Sequence, residues 1–171
     1  MKAVVLMTAL LATAGLAQAQ TVELNLAGPD GVGKPIGSIT IEQNKYGTLL
    51  TPNLKDLPPG VHGFHLHQNP SCDVAQTDGK AVPAGAAGGH WDPSNTKAHK
   101  GPYDDSGHKG DLPAIYVGAD GKATYPVLAP RLKAEEFKGH ALMVHAGGDN
   151  HSDHPEALGG GGARFACGVV K

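Results

Sequence analysis

Val61-His62-Gly63-Phe64-His65-Leu66-His67 ends in a strict alternation of apolar and imidazole side chains. On a strand, residues i and i+2 share a face. Phe64 and Leu66 therefore point one way, His65 and His67 the other. The pattern predicts a strand with one face in the core and two imidazoles side by side on the opposite face. That pair is a ready clamp for a transition-metal ion, although two surface histidines on a half-exposed strand fit this segment equally well. His62 falls on the apolar side and is expected to be a hydrogen-bonded core histidine rather than a ligand.

Similar short runs lie on both sides. Val22, Leu24 and Leu26 alternate with polar residues, as do Ile39 and Ile41, and Tyr46–Thr51 is a weaker run. Ala114–Gly118, Lys122–Leu128, Ala141–His145 and Arg164–Val170 bring the candidate strands to eight. Asp120-Gly121 between two of them is a hairpin signal, and Arg131–Lys138 has room for one or two helical turns ended by Gly139. The composition agrees: 25 glycines and 13 prolines in 171 residues are well above usual shares and favour turns and short strands. The chain is expected to be all-β, an antiparallel sandwich or barrel. Two connections, Gln68–Leu112 and Ala146–Gly162, are far longer than turns, and such loops in a compact domain are usually functional or disordered.

A net charge of −2 argues against a general binder of nucleic acid or of anionic membranes. Met1–Ala19 reads as a cleaved signal peptide: Lys2, an apolar stretch over Ala3–Gly15, then the small-x-small site Ala17-Gln18-Ala19. The apolar stretch is too short to span a bilayer, and no later segment is apolar enough to act as a membrane anchor. Residues 20–171 would form the exported domain. Cys72 and Cys167 are the two cysteines. An even count behind an export signal favours a disulfide over two free buried thiols.

The remaining histidines are spaced as ligands. His90 follows Gly88-Gly89, His99 and His108 follow at intervals of nine, and Asp111 comes three residues later. Three imidazoles and a carboxylate suit tetrahedral zinc; the alternative is a polar loop rich in histidine. His145 ends a candidate strand. Asp149, just beyond it, is placed to orient ligand rings through their second nitrogens, or is a turn-former. His140, His151 and His154 are expected to be solvated loop residues.

Several of these segments together resemble one family. Gly63-Phe64-His65-Leu66-His67, Gly89-His90 with its two later histidines, Gly110-Asp111-Leu112, and Gly161-Gly162-Ala163-Arg164-Phe165-Ala166-Cys167-Gly168 resemble copper/zinc superoxide dismutase. Pro70-Ser71-Cys72 and Gly147-Gly148-Asp149-Asn150-His151-Ser152-Asp153 are similar to its bacterial, exported branch. The resemblance covers essentially the whole chain after the signal peptide. It implies an eight-stranded antiparallel Greek-key β-barrel or sandwich, immunoglobulin-like, with two long functional loops; the family is itself a standard instance of that architecture.

The resemblance further implies one copper and one zinc ion per chain. Copper would be held by His65, His67, His90 and His145, and zinc by His90, His99, His108 and Asp111, with His90 as the shared bridge. Asp149 would link His99 to a copper ligand, Cys72–Cys167 would pin the long loop to the last strand, and Arg164 would lie beside the open copper position. The implied activity is dismutation of superoxide to dioxygen and hydrogen peroxide, with His90 carrying a proton and Arg164 orienting the anion. A periplasmic location and a monomer or homodimer follow from the same branch, and Trp91 and Tyr103 are either interface anchors or buried within the subunit.

One departure stands out: Ala146–Gly162 contains no lysine or arginine, where animal-type members carry a basic residue. Lys80, Lys97, Lys100 and Lys109 are the alternative sources of attraction for the anion. Two other functions compete. An exported copper carrier on the same fold would lack turnover. A zinc hydrolase would need an open zinc position, whereas four candidate ligands close this one.

Overall fold

This is a computed structural model, and it describes residues 19–171. The signal-peptide expectation for Met1–Ala19 falls almost wholly outside the described residues. Eleven strands are present: β1 Gln20–Gly28, β2 Gly31–Asn44, β3 Gly47–Leu54, β4 Gly60–His62, β5 Phe64–His67, β6 Ala75–Thr77, β7 Lys80–Val82, β8 Ile115–Val117, β9 Val127–Ala129, β10 Ala141–His145 and β11 Arg164–Val169. Seven form one antiparallel sheet in the order β5-β10-β11-β1-β2-β3-β9, and β4 pairs with β8.

The sheet curls, and the segments flanking the β4–β8 pair connect it to both sides of the sheet. β4 runs into β5 across Gly63, and Ala123, just past β8, bridges to Leu54 on β3. Apolar residues alternate into the space this encloses. Leu24, Ile39, Ile41, Leu50, Phe64, Leu66, Leu112, Ile115, Leu142 and Val144 are all buried in one core. Close backbone approach requires glycine at Gly37 and at Gly47. A side chain at Gly37 would meet the Asn53 carbonyl at 2.1 Å, and one at Gly47 the Ala129 carbonyl at 2.5 Å; both also have positive φ.

All eight predicted strand regions contain strand, with three differences. Val61–His67 is divided at Gly63, whose N–H donates to the Gly147 carbonyl while its own carbonyl accepts from His145 N–H; the second long loop is stitched in at that break. Asp120-Gly121 makes a turn, closed by the Gly118 N–H to Lys122 carbonyl bond, but not a hairpin: β8 pairs with β4 and β9 with β3. The turn passes the chain from one sheet to the other. Arg131–Lys138 yields a single 3-10 turn, Ala134–Phe137, with Phe137 buried.

The first long connection is more ordered than a plain loop. It carries the β6–β7 hairpin and a 3-10 turn at Gly85–Ala87. Cys72 and Cys167 form a disulfide with Cα atoms 5.7 Å apart, a normal separation. Ala84 and Ala87 of this connection, Ala141 and Met143 of β10, and Cys167 make a second apolar cluster. Met143 stands opposite His65, and Ala141 opposite His67. The histidine face of β5 is thus roofed by the loops instead of facing water. Among the described residues no helix is long and apolar enough to cross a membrane.

Candidate metal centre

β5 presents His65 and His67, and β10 presents His145 from its last position. All three are buried, as are His90, His99, His108 and Asp111 from the first long connection. Burial of so many imidazoles in contact is costly unless something satisfies their nitrogens. The hydrogen-bond network shows which nitrogen of each ring is already used.

His65 Nε2–H donates to Asp149 Oδ2 at 2.8 Å, His67 Nδ1–H to the Gly88 carbonyl at 2.9 Å, and His145 Nδ1–H to the Gly162 carbonyl at 3.2 Å. A neutral imidazole has one N–H and one lone pair, so His65 Nδ1, His67 Nε2 and His145 Nε2 are left as lone pairs. His67 Nε2 and His145 Nε2 lie 3.3 Å apart. Two lone pairs facing at that distance repel unless a cation lies between them. His65 Nδ1 and His90 Nε2 are buried without any hydrogen-bond partner. Ligand atoms of His65, His67, His90 and His145 all lie within 4.8 Å of one another.

Asp111 organises a second set. Its Oδ1 accepts from His90 Nδ1 at 2.9 Å and lies 3.0 Å from His99 Nδ1 and 3.4 Å from His108 Nδ1. Neither His99 Nδ1 nor His108 Nδ1 has a hydrogen-bond partner. Around a tetrahedral zinc ion with bonds of about 2.0–2.1 Å, ligand atoms stand roughly 3.3 Å apart, and these separations fit that cage. His65, His90, His99 and Asp111 also satisfy a common 4.8 Å limit. His65 is nevertheless placed in the first set, because its Nε2 is committed to Asp149. His90 belongs to both sets through its two nitrogens.

Asp149 joins the sets from behind. Its buried carboxylate accepts from His65 through Oδ2 and from His99 Nε2 through Oδ1, each at 2.8 Å. Burial opposes ionisation of Asp111 and Asp149, but the histidines around them hold both carboxyls well below the usual range. Burial also favours neutral His99, yet Asp111 and Asp149 outweigh it and raise this imidazole to about 9. Burial, then His90, pushes His145 down to about 4, and His65, His67 and His90 are lowered chiefly by burial. Most of the cluster is therefore held neutral and able to coordinate, around two fixed negative charges.

Three backbone hydrogen bonds, each 2.8 Å, lock the sets together. Leu66 N–H donates to Gly110 O, Gly110 N–H to Trp91 O, and Trp91 N–H to Leu66 O. Each of these residues is the chain neighbour of a candidate ligand: His65 and His67, His90, and Asp111. A Cβ at Gly110 would stand 2.2 Å from the Leu66 carbonyl oxygen and 2.8 Å from Trp91 N, so this closed ring requires glycine.

Arg164, at the start of β11, donates to the Ala84 carbonyl and, at 2.6 Å, to the Gly88 carbonyl. Gly88 O is the same atom that accepts from His67. The half-buried guanidinium is thereby fixed next to the first set, and its charge contributes to the lowering of both His67 and His145.

The family described as copper/zinc superoxide dismutase matches residues 35–170. A superoxide dismutase [Cu-Zn] of Photobacterium leiognathi is 64% identical over 139 residues, covering 81% of this chain and 80% of its own. The chain belongs to the copper/zinc superoxide dismutase family. Solved structures agree. The Cu/Zn superoxide dismutase from Brucella abortus is 54% identical with a TM-score of 0.88, over 90% of this chain and 100% of its own. The solution structure of the monomeric copper, zinc superoxide dismutase from Salmonella enterica is 55% identical with a TM-score of 0.81, over the same shares. The activity is dismutation of superoxide, and the cofactors are copper and zinc. Nothing in the site or in these relatives favours a carrier without turnover.

The histidines and aromatic residues outside the two sets take several different environments. His62 is buried with its ring between the His145 and Pro58 carbonyls, each 2.8 Å away. His151 and His154 are exposed. His140 is not a solvated residue: it is half-buried, bonds the His67 and Gln68 carbonyls, and packs on Trp91. Trp91 packs against the core, whereas Tyr103 is exposed. Gly88 and Gly110 stand in segments that the motifs include, but the sequence does not show that they act through their backbone, because a carbonyl leaves no chemical label in the chain. Nor does it mark Asp153, whose Oδ2 accepts from His99 N–H at 2.8 Å.

Proposed function

We propose that His65, His67, His90 and His145 hold copper, that His90, His99, His108 and Asp111 hold zinc, and that Arg164 and His90 are the catalytic residues for superoxide. The carrying observation is the set of buried ring nitrogens that face one another with no protein donor between them. Imidazole nitrogens suit copper, and three imidazoles with a carboxylate suit zinc. Bound copper supplies reversible one-electron exchange with superoxide, and bound zinc supplies fixed positive charge.

The chain's own residues do the rest. Arg164, anchored on two carbonyls, attracts and orients the anion with a permanent cation and several donors. When its nitrogen facing the first set is not bound to copper, His90 would hold a proton there and give it up as hydrogen peroxide forms, while Asp111 keeps its other nitrogen turned to the second set. The overall balance is two superoxide ions and two protons to one dioxygen and one hydrogen peroxide; one proton comes from His90 and one from water. Asp149 fixes the rings of His65 and His99 and so sets both ligand sets at once.

Of the four lysines that could steer the anion, Lys109 is paired with Glu136 and Lys100 is bonded to Ser106. Lys80 and Lys97 are exposed and make no salt bridge among the described residues. They join Arg164 as sources of local attraction. Residues 1–19 serve as a cleaved signal peptide for the periplasm, and the Cys72–Cys167 bridge supports an oxidising compartment. Residues 20–171 act as one domain, as a monomer or a homodimer. Both sets of ligands come from a single chain.

Single substitutions test the assignment by metal analysis. His67→Ala and His145→Ala should lose copper and keep zinc, His108→Ala should lose zinc and keep copper, and His90→Ala should weaken both. A variant that loses the opposite metal contradicts it.

A further inference from the structure

Arg131 stands just after β9, outside both long connections, yet its guanidinium reaches into the first. Nε donates to the Pro102 carbonyl at 3.0 Å, and Nη2 donates to the Gly101 carbonyl at 2.9 Å and to the His108 carbonyl at 2.7 Å. Among the described residues it pairs with no carboxylate. Nε and Nη2 are spent on three backbone oxygens of one loop, all from buried residues. A planar fork of donors is the side chain that can satisfy such a group of carbonyls at once. Without these donors, the Gly101 and Pro102 carbonyls would be left unpaired.

The loop so held is the one that carries His99 and His108. His108 N–H donates to the Ala98 carbonyl at 2.8 Å, which closes the loop at its ends. Arg131 closes it again through the middle, tying Gly101-Pro102 to His108. The His108 carbonyl also accepts from Asp111 N–H at 3.3 Å, so one oxygen fixes the backbone of two members of the second set. The His151 ring fills the space where a side chain at Gly101 would stand, with Cγ 2.5 Å from such a Cβ. The Gly101-Pro102 turn is thus held by Arg131 and packed by His151. His108 has no strand of its own, and its buried Nδ1 has no hydrogen-bond partner.

We infer that Arg131 is a positioning residue for zinc: it pre-orders the loop so that His99, His108 and Asp111 already stand in their bound arrangement. This rests on zinc being held by His90, His99, His108 and Asp111. Arg131 contacts no ligand ring, so it acts through the backbone, and the ordering cost of the loop is met before the metal arrives.

The test is zinc titration of the metal-stripped full chain by chelator competition, for wild type, Arg131→Gln, Arg131→Lys and His108→Ala. The visible spectrum of cobalt(II) in the zinc position and the Tm of the metal-free chain are recorded alongside. Loss of an outer partner commonly weakens metal binding about 10–100-fold, and Arg131→Gln should fall in that range. Its cobalt spectrum should change, while the metal-free Tm moves less than the zinc-loaded Tm. Arg131→Lys, which keeps the charge but not the fork, should lie between. Weaker zinc binding by His108→Ala with wild-type binding by both Arg131 variants overturns the inference and leaves the site reading intact. Equal Tm losses with and without zinc reduce Arg131 to a fold residue and also overturn it. Unchanged zinc affinity in His108→Ala overturns the site reading and this inference together. If Arg131→Gln does not fold, the lysine variant decides: intermediate affinity supports the inference, wild-type affinity overturns it.

Discussion

Arg164 and His67 meet at one atom, the Gly88 carbonyl oxygen. The residue proposed to orient the anion and one proposed to hold copper are therefore positioned by the same point on the loop. Arg164→Ala should lower kcat/KM for superoxide by about tenfold or more and flatten its dependence on ionic strength, since steering contributes roughly 10–10³ in rate and is screened by salt. Stopped-flow dismutation at several salt concentrations measures this; an unchanged rate would take Arg164 out of the active site. At this scale the candidate ligand side chains, which the structure brings together, were legible in the chain because coordination needs imidazole and carboxylate, and both leave an explicit mark at fixed spacing. The partners that orient them were less legible. Asp149 was visible as a carboxylate near His145, but the carbonyls of Ala84, Gly88 and Gly162 carry no residue-type signal.

At the level of elements, the β5 alternation does two jobs: Phe64 and Leu66 anchor the strand in the core, and that anchoring aims His65 and His67 at the loops. The backbone ring of Leu66, Trp91 and Gly110 then fixes the first long connection to this strand. Gly110→Ala should open the ring, because the added Cβ meets two backbone atoms at 2.2 and 2.8 Å. We expect a loss of about 1–3 kcal/mol in urea unfolding together with weaker retention of both metals; full stability would show that the ring yields easily. The strand regions were legible because burial of one face imposes a period of two. Their pairing was not. Asp120-Gly121 marks a tight turn in either case, and whether the flanking strands pair with each other or with β4 and β3 is set by distant partners. The β6–β7 hairpin escaped because its residues are mostly exposed and show no buried face.

For the whole molecule, two buried carboxylates and a cluster of neutral imidazoles make the metal-free chain sensitive to pH in both directions. His145 is depressed to about 4, so the unfolded chain takes up its proton first as pH falls below about 6.5. The stability it contributes is present above that pH and is lost between about 6.5 and 4. His99 is raised to about 9; its contribution is complete below about 6.5 and is lost as pH rises through about 9. The Tm of the metal-free protein should therefore peak near neutral pH and fall on both sides; a Tm that rose steadily to pH 10 would contradict this assignment of charge. The disulfide closes a sequence separation of 95 and adds roughly 4–5 kcal/mol in the chain-entropy model. It also holds the connection on which Ala84 and Gly88 anchor Arg164, so the bridge that stabilises the fold stabilises the placement of Arg164 too.

Metal content and superoxide dismutation measured on one purified sample give the decisive test. The structure and its family predict one copper and one zinc per chain, with cyanide-sensitive turnover that disappears on chelation and returns when both metals are restored. Stoichiometric copper with no turnover would contradict it.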